Sequence, residues 1–360
     1  MTEKELQKIL EQIKPLDQVY FEKAQSRLDN LTKPKGSLGR LEEIAARVVA
    51  ITEELRPQVD RKRIYVFAGD HGVEKEGVSC YPREVTAQMV LNFLRGGAGI
   101  NVLARQIGAE VQVVDIGVDH DFQGISGLID RKIARGTGNL ARGPAMSRKQ
   151  AIQSLAVGLE LAREAHRERV DLLGCGDMGI GNTTPSSAIT AVMTGESPEK
   201  ITGKGTGIDP EKWRKKVKII RAAIGKNRPK RSDPIDVLAK VGGFEIGGIA
   251  GLILGAASLR IPVVIDGFIS GAGALIAAGL LPRVGEYVFA SHQSVEPGHR
   301  AVLKSLRQRP LMELDLRLGE GTGAALGMGL VEAAVRILNE MAAFGEAKVS
   351  REVKQKKRET

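Results

Sequence analysis

The sequence predicts an α/β fold with a doubly wound, mostly parallel sheet, and three observations carry that expectation. Six short apolar runs follow one another after residue 57, each breaking off into a glycine-bearing turn with an acid, a hydroxyl or a histidine. Helical patterns lie between those runs, the alternation expected of strands laid side by side in one parallel sheet. Aromatic residues make up only 4% of the chain while glycine reaches 43 residues, a balance suited to helices packed closely on a sheet.

Up to about residue 57 the chain reads as helical. Leu38, Leu41, Ile44, Ala45, Val48, Ile51 and Leu55 recur at three- and four-residue steps, with Arg and Glu between them. The preceding stretch Lys33–Gly39 reads as a turn, with Ser37 as the cap of the following helix. Strands are expected at Ile64–Ala68, Val111–Val114, Val170–Leu173, Pro262–Ile265, Tyr287–Ala290 and Leu314–Leu318. Most are short and apolar throughout, as strands covered on both faces should be. Helices are expected at Glu84–Leu94, Arg148–Arg167, Ala188–Met193, Ile246–Ser258 and Ala324–Met341, followed by the charged tail Lys354–Arg358.

Composition narrows the function. A chain of 360 residues with 42% hydrophobic content buries a large core, enough for one big α/β domain and a smaller one. Its two cysteines, Cys80 and Cys175, exclude a disulfide framework and fit a reducing cytoplasm. The charged start of the chain is no signal sequence, and the apolar stretch Ile246–Leu259 is too short and glycine-rich for a membrane span. A soluble cytoplasmic protein without membrane contact is expected. The net charge of +10 raises nucleic acid as a partner, but the charge concentrates in Lys212–Arg231 and in the tail. The first alternates with Val217, Ile219, Ile220, Ala223 and Ile224, so it reads as a helix with a cationic outer face. No zinc-finger spacing or aromatic RNA-binding segment accompanies it, and no nucleic-acid partner is expected.

The richest turn is Gly174–Ser187, read as a binding loop leading from the strand at Val170–Leu173 into the helix at Ala188. Its glycines let backbone N–H groups approach a ligand, while Asn182, Thr183, Thr184 and the serines add hydrogen bonds, the makings of an anion site. Ligands of open parallel sheets bind outside the carboxyl ends of the strands. Just past the strands stand Asp70-His71-Gly72, Asp115, Asp177, Asp266-Gly267, Ser291-His292-Gln293-Ser294 and Gly319-Glu320-Gly321, which should converge on one cleft.

Glu320 is the leading candidate for proton transfer, because it sits between glycines directly before a helix start. Enclosure by Leu316 and Leu318 would raise its pKa and strengthen it as a base. A carboxylate serving only the helix macrodipole fits the same pattern equally well. The five histidines show no HxxxH or HExxH spacing and neither cysteine has a CxxC partner, so no metal site is expected. No GxSxG elbow or Walker A sequence occurs, and the Gly271-Ala272-Gly273 fragment is a poor dinucleotide fingerprint, so no cofactor is expected. The residues by themselves describe an α/β enzyme with a phosphate-friendly cleft and one favoured carboxylate.

Several segments go further. Lys33-Pro34-Lys35-Gly36-Ser37-Leu38-Gly39-Arg40-Leu41-Glu42, Asp70-His71-Gly72-Val73, Gly143-Pro144-Ala145-Met146-Ser147 and Gly179-Ile180-Gly181-Asn182-Thr183-Thr184 stand in one order with Lys240-Val241-Gly242-Gly243-Phe244, Asp266-Gly267-Phe268 and Leu318-Gly319-Glu320-Gly321. In these, over roughly residues 30 to 345, the chain resembles the nicotinate-nucleotide:5,6-dimethylbenzimidazole phosphoribosyltransferase family of cobalamin nucleotide-loop assembly. The resemblance implies transfer of ribose 5-phosphate from nicotinate mononucleotide to a benzimidazole, with inversion to an α-N-glycosidic bond. It implies Glu320 as the general base that takes the azole proton, with no metal required. It places Gly176, Gly203, Ser291, Ser294 and Lys216 at phosphate and ribose, assisted by Thr183 and Thr184, and Tyr81, Gln88, Met89, Met178 and Leu318 around the base. Asp177 stands where the family usually has glutamate, and Ser79-Cys80-Tyr81-Pro82, beside the base pocket, also departs from the usual pattern. The resemblance further implies a Rossmann-like large domain (58–327), a small helical domain formed from both chain ends (1–57 with 328–360), and a homodimer.

Overall fold

The computed structural model describes residues 1–205 and 207–350; the tail Lys354–Arg358 lies outside them. Its centre is a six-stranded sheet of β1 (Lys62–Gly69), β2 (Ala109–Gly117), β3 (Leu128–Asp130), β4 (Leu172–Met178), β5 (Val263–Ile265) and β6 (Val288–Ala290). Every pairing is parallel and the spatial order is β3-β2-β1-β4-β5-β6. The doubly wound parallel sheet is therefore as expected. Its order reverses between β1 and β4, and that switch point fixes where a ligand can enter.

The helices are α1 (Glu3–Gln12), α2 (Gln18–Asn30), α3 (Arg40–Thr52), α4 (Glu84–Leu94), α5 (Gly99–Gln106), α6 (Arg148–Arg167), α7 (Thr183–Thr194) and α8 (Pro198–Ile201). They continue with α9 (Pro210–Asn227), α10 (Pro234–Val241), α11 (Phe244–Ser258), α12 (Phe268–Leu280), α13 (Pro297–Ser305), α14 (Thr322–Glu340) and α15 (Phe344–Ala347). Among the described residues no helix is long and apolar enough to cross a membrane.

Local chemistry accounts for the elements that frame the site. Residues Ile64 to Ala68 of β1 are wholly buried, as a strand covered on both faces requires. α6 starts on a capping box, with the Gln150 N–H donating to Ser147 Oγ at 3.2 Å and the Ser147 N–H to Gln150 Oε1 at 3.0 Å. It lies against α11 at backbone contact: a Cβ on Gly158 would stand 2.0 Å from the Gly248 carbonyl oxygen, and one on Gly251 2.0 Å from that of Leu155. Much of the glycine in this chain serves such close packing.

Four local expectations need correction. The segment Gly174–Met178, read as turn, belongs to β4, which pairs with β1 through Tyr65 and Cys175 and through Ala68 and Met178. Its glycines leave room for neighbouring groups to lie on the sheet; a Cβ on Gly174 would meet Ile64 at 2.9 Å and Met328 at 3.2 Å. α7 begins at Thr183 and not Ala188, because its hydroxyls bond back along the helix, Ser186 to the Asn182 carbonyl at 2.9 Å and Ser187 to that of Thr183 at 2.7 Å. Leu314–Leu318 forms no strand. The chain beside β6 makes a single bridge, His292 to Met312, and then turns outward at Asp315 (φ 54°), leaving Leu314 and Leu318 exposed. Finally, α3 is entered from Gly39 at φ 51° without a side-chain cap, so Ser37 does not serve as one.

The chain divides into two compact units. The larger comprises Met1–Pro15 and Val59–Gly329, and holds all six strands. α1, which the sequence reading grouped with the smaller domain, lies in this larger unit, where Leu6, Ile9 and Leu10 are buried and Tyr287 donates its hydroxyl to the Lys14 carbonyl at 2.8 Å. The smaller unit comprises Leu16–Gln58 and the chain from Leu330. Within it a buried ion pair, Lys33 Nζ to Glu42 Oε1 at 2.8 Å, closes the Lys33–Gly39 turn, and Glu42 also accepts the Leu38 N–H at 3.0 Å.

Candidate active site

A cavity of about 270 Å³ opens at the carboxyl ends of the strands, across the switch point. Met178 and Asp177 end β4, and the tight turn Gly179–Asn182 carries the chain over the cavity floor into α7. Gly179 has no room for a side chain, since a Cβ would fall 2.3 Å from the Gly69 carbonyl oxygen of β1. The turn is tied to α4 by the Ile180 N–H, which donates to Thr86 Oγ1 at 3.1 Å. Of the residues selected from sequence, Tyr81, Asp177, Met178, Asn182, Thr183, Ser294 and Leu318 line the cavity.

Glu320 comes directly after the lining residues Leu318 and Gly319 and is 6% exposed. Its backbone is left-handed (φ 63°), between Gly319 at 81° and Gly321 at 93°. For a residue with a Cβ that conformation costs about 1–2 kcal/mol, so the surroundings must hold it. Gly176 of β4 makes the placement possible: a Cβ there would stand 2.3 Å from the Glu320 carbonyl group and the Gly321 nitrogen. The Glu320 carboxylate accepts the Ile100 N–H at 3.3 Å, at the start of α5. Burial raises its pKa, opposed by the N–H groups of Ile100 and Gly99. The macrodipole role at the start of α14 falls to another acid. Asp266 accepts the N–H groups of Gly321, Gly323 and Ala324 there.

A second cluster gathers around Thr183 and Glu296, which line the cavity. Lys216 of α9 is buried, and its Nζ donates to Thr183 Oγ1 at 2.6 Å. Burial pushes its pKa down to about 8 against the attraction of Glu296. Glu296 lines the cavity, accepts the Gly205 N–H at 2.9 Å through Oε1, and leaves no space for a side chain at Gly203. A buried ammonium beside a hydroxyl and a helix start is a cationic pole, while the enclosed Glu320 carboxylate follows the lining residue Gly319.

Other selected residues are placed differently. Gln88 is exposed and Met89 half-buried on α4, and neither lines the cavity. Gly176, Gly203, Thr184, Ser291, Asp266, Lys216 and Glu320 are not among the residues that line it. Ser291 donates its hydroxyl to the Asp266 carbonyl at 3.0 Å, and Asp266 is wholly enclosed, so both are engaged with the protein itself. Ser294 accepts the Glu296 N–H at 3.3 Å. Burial, reinforced by the charges of Asp266, Glu245 and Glu320, raises the Asp177 pKa well above its ordinary value, while Asn182 Nδ2 donates to it at 2.8 Å.

Sequence reasoning missed Glu296 and Glu245. Glu296 precedes Pro297, the first residue of α13, and reads locally as an ordinary helix entry. Glu245 is the second residue of α11 and is fully buried, 3.0 Å from His71 Nε2, in a stretch otherwise apolar. Neither position carries a local signal of burial.

A family model described as a phosphoribosyltransferase, DBI_PRT, matches residues 13–349. The chain is 61% identical over 345 residues to a protein of Geobacter sulfurreducens named nicotinate-nucleotide–dimethylbenzimidazole phosphoribosyltransferase, covering 96% of this chain and 98% of that one. A Desulforudis audaxviator protein of the same name is 56% identical over 345 residues, again 96% and 98% of the two chains. Among solved structures, CobT from Thermus thermophilus superimposes with a TM-score of 0.89 at 48% identity, covering 93% of this chain and 100% of that one.

Proposed function

We infer from this chain's membership of the DBI_PRT phosphoribosyltransferase family, to which it belongs, that it works as its relatives are named. It transfers the 5-phosphoribosyl group of nicotinate mononucleotide to 5,6-dimethylbenzimidazole, giving α-ribazole 5′-phosphate and nicotinate in cobalamin biosynthesis. The observation that carries the residue assignment is Glu320: an enclosed carboxylate directly after the cavity-lining Gly319, with a raised pKa, on a backbone held in a costly conformation.

In the proposed step, a benzimidazole nitrogen attacks the anomeric carbon from the face opposite nicotinate. Glu320 accepts the proton from the other azole nitrogen. The C–N bond to the pyridinium breaks, and its electron pair stays on the pyridine nitrogen, which leaves uncharged and needs no general acid. Alignment of nucleophile and ribose supplies much of the remaining acceleration. Lys216 holds the phosphate through charge, with Thr183 and the start of α7 beside it. Tyr81, Met178 and Leu318 offer the apolar faces against which a flat base lies. The thiols of Cys80 and Cys175 fit a cytoplasmic setting, and a homodimer is the proposed assembly.

The test mixes purified protein with nicotinate mononucleotide and dimethylbenzimidazole and follows products by chromatography and mass. Nicotinate and α-ribazole phosphate in equal amounts are expected. Substrates that persist across a panel of azole and phenol acceptors would overturn the reading. Replacing Glu320 by Gln should lower kcat by about 10²–10⁴-fold while nicotinate mononucleotide still binds.

A further inference from the structure

Asp266 follows β5 directly and is fully buried. Its Oδ2 accepts the Gly321 N–H at 3.2 Å; Oδ1 accepts those of Gly323 at 2.7 Å and Ala324 at 3.2 Å. The Gly321 N–H belongs to the peptide unit that leaves Glu320. The unit that enters Glu320 is held from the other side, by its N–H donating to the Asp177 carbonyl of β4 at 3.2 Å. Both peptide planes that meet at the Glu320 Cα are thus tied to adjacent strands of the sheet. Without those ties, a left-handed glutamate between two left-handed glycines has strong steric reason to relax.

Asp266 is itself fixed. The Ser291 hydroxyl donates to its carbonyl at 3.0 Å, and His292 Nδ1 stands 4.0 Å from its Oδ1. A Cβ on Gly323 would fall 2.1 Å from that same histidine nitrogen, so the start of α14 is seated directly on this group.

We propose that Asp266 is a positioning residue for the proton acceptor: its carboxylate locks the backbone of Glu320 and touches no substrate atom. The inference rests on the reading of Glu320 as general base. It replaces the expectation, drawn from sequence, that Asp266 is one of the groups facing the ligand cleft.

Asp266→Asn tests it. The amide keeps one acceptor oxygen and turns an NH₂ toward either Gly321 or the Gly323 and Ala324 pair, so one set of backbone donors faces another donor. A loop displaced by roughly 1 Å should lower kcat about 100-fold, with the KM for nicotinate mononucleotide nearly unchanged. In a Glu320→Gln background, with residual turnover followed over long incubation, the same change should cost nothing more, because no base remains to be positioned. A merely structural role predicts equal losses in both backgrounds, and a substrate contact predicts a raised KM; either result overturns the proposal. If Asp266→Asn does not fold, Asp266→Glu retains the charge but shifts it by one methylene, and the same two-background comparison decides. Full activity of Glu320→Gln alone would remove the base assignment itself, an outcome distinct from failure of the Asp266 coupling.

Discussion

Replacing Gly176 by Ala adds a single methyl group at the centre of β4 and should nearly silence the enzyme. The new Cβ would lie 2.3 Å from the Glu320 carbonyl carbon and oxygen and from the Gly321 nitrogen, where ordinary contact begins at 3.4 Å. All three contacts are backbone atoms, so no side chain can swing aside. Since β4 is paired on both edges, to β1 and β5, the loop must give way by about 1 Å. A shift of that size at a reacting group costs on the order of 10²-fold in rate, and overpacking destabilises the fold by about 1–3 kcal/mol. The assay is steady-state nicotinate release, with thermal unfolding run beside it. Gly225→Ala serves as the control, because its Cβ meets nothing within 4 Å. A Gly176→Ala enzyme with kcat close to the parent would refute the claim that this glycine exists to seat Glu320.

Three further outcomes follow from the electrostatics. Lys216 carries a pKa near 8, so nicotinate mononucleotide should bind tightly below that pH and more weakly as the ammonium deprotonates above it; calorimetry from pH 6.5 to 9.5 reads this, and a pH-independent affinity would remove Lys216 from phosphate binding. Removing Lys33 by Lys33→Met strands the buried Glu42 carboxylate and should destabilise the fold by about 3–5 kcal/mol, largely recovered in Lys33→Met/Glu42→Leu; an unchanged Tm in the single variant contradicts this. Burial lowers the His299 pKa to about 3, below its unfolded value near 6.5, so the folded state binds fewer protons in between and stability falls as pH drops through that window. His299→Gln should flatten the slope of Tm against pH between 6.5 and 4, and an unaltered slope would count against the buried neutral ring.

What was legible in the sequence had a period or a local chemical signature. Glu84–Leu94 and Arg148–Arg167 were readable to the residue from their helical pattern. The switch point was foreshadowed by polar groups that recur after apolar runs, which is how Asp177 and Glu320 came to notice. Glycine misled. At Gly174 and Gly176 it clears the face of a strand for packing, whereas the same residue at Gly181, with φ 90°, makes a turn; composition does not separate the two uses. The hydroxyls of α7 misled likewise, since Ser186 and Ser187 satisfy their donors within the helix they were read as delaying. Glu245 and Glu296 were invisible for a different reason: their burial is created by elements far away in the chain.

All six strands precede Glu320 along the chain, with β6 ending at Ala290. A growing polypeptide therefore has every strand of its sheet before the loop that bears the base is made. At that stage Asp266 has none of the Gly321, Gly323 and Ala324 donors that later enclose it, and its carboxylate must remain hydrated. The switch-point end of the sheet cannot dry out until residues 319–324 dock, so expulsion of water there and completion of the catalytic geometry are one event. Chain order thus makes residues 319–324 the segment that closes the switch-point end of the sheet.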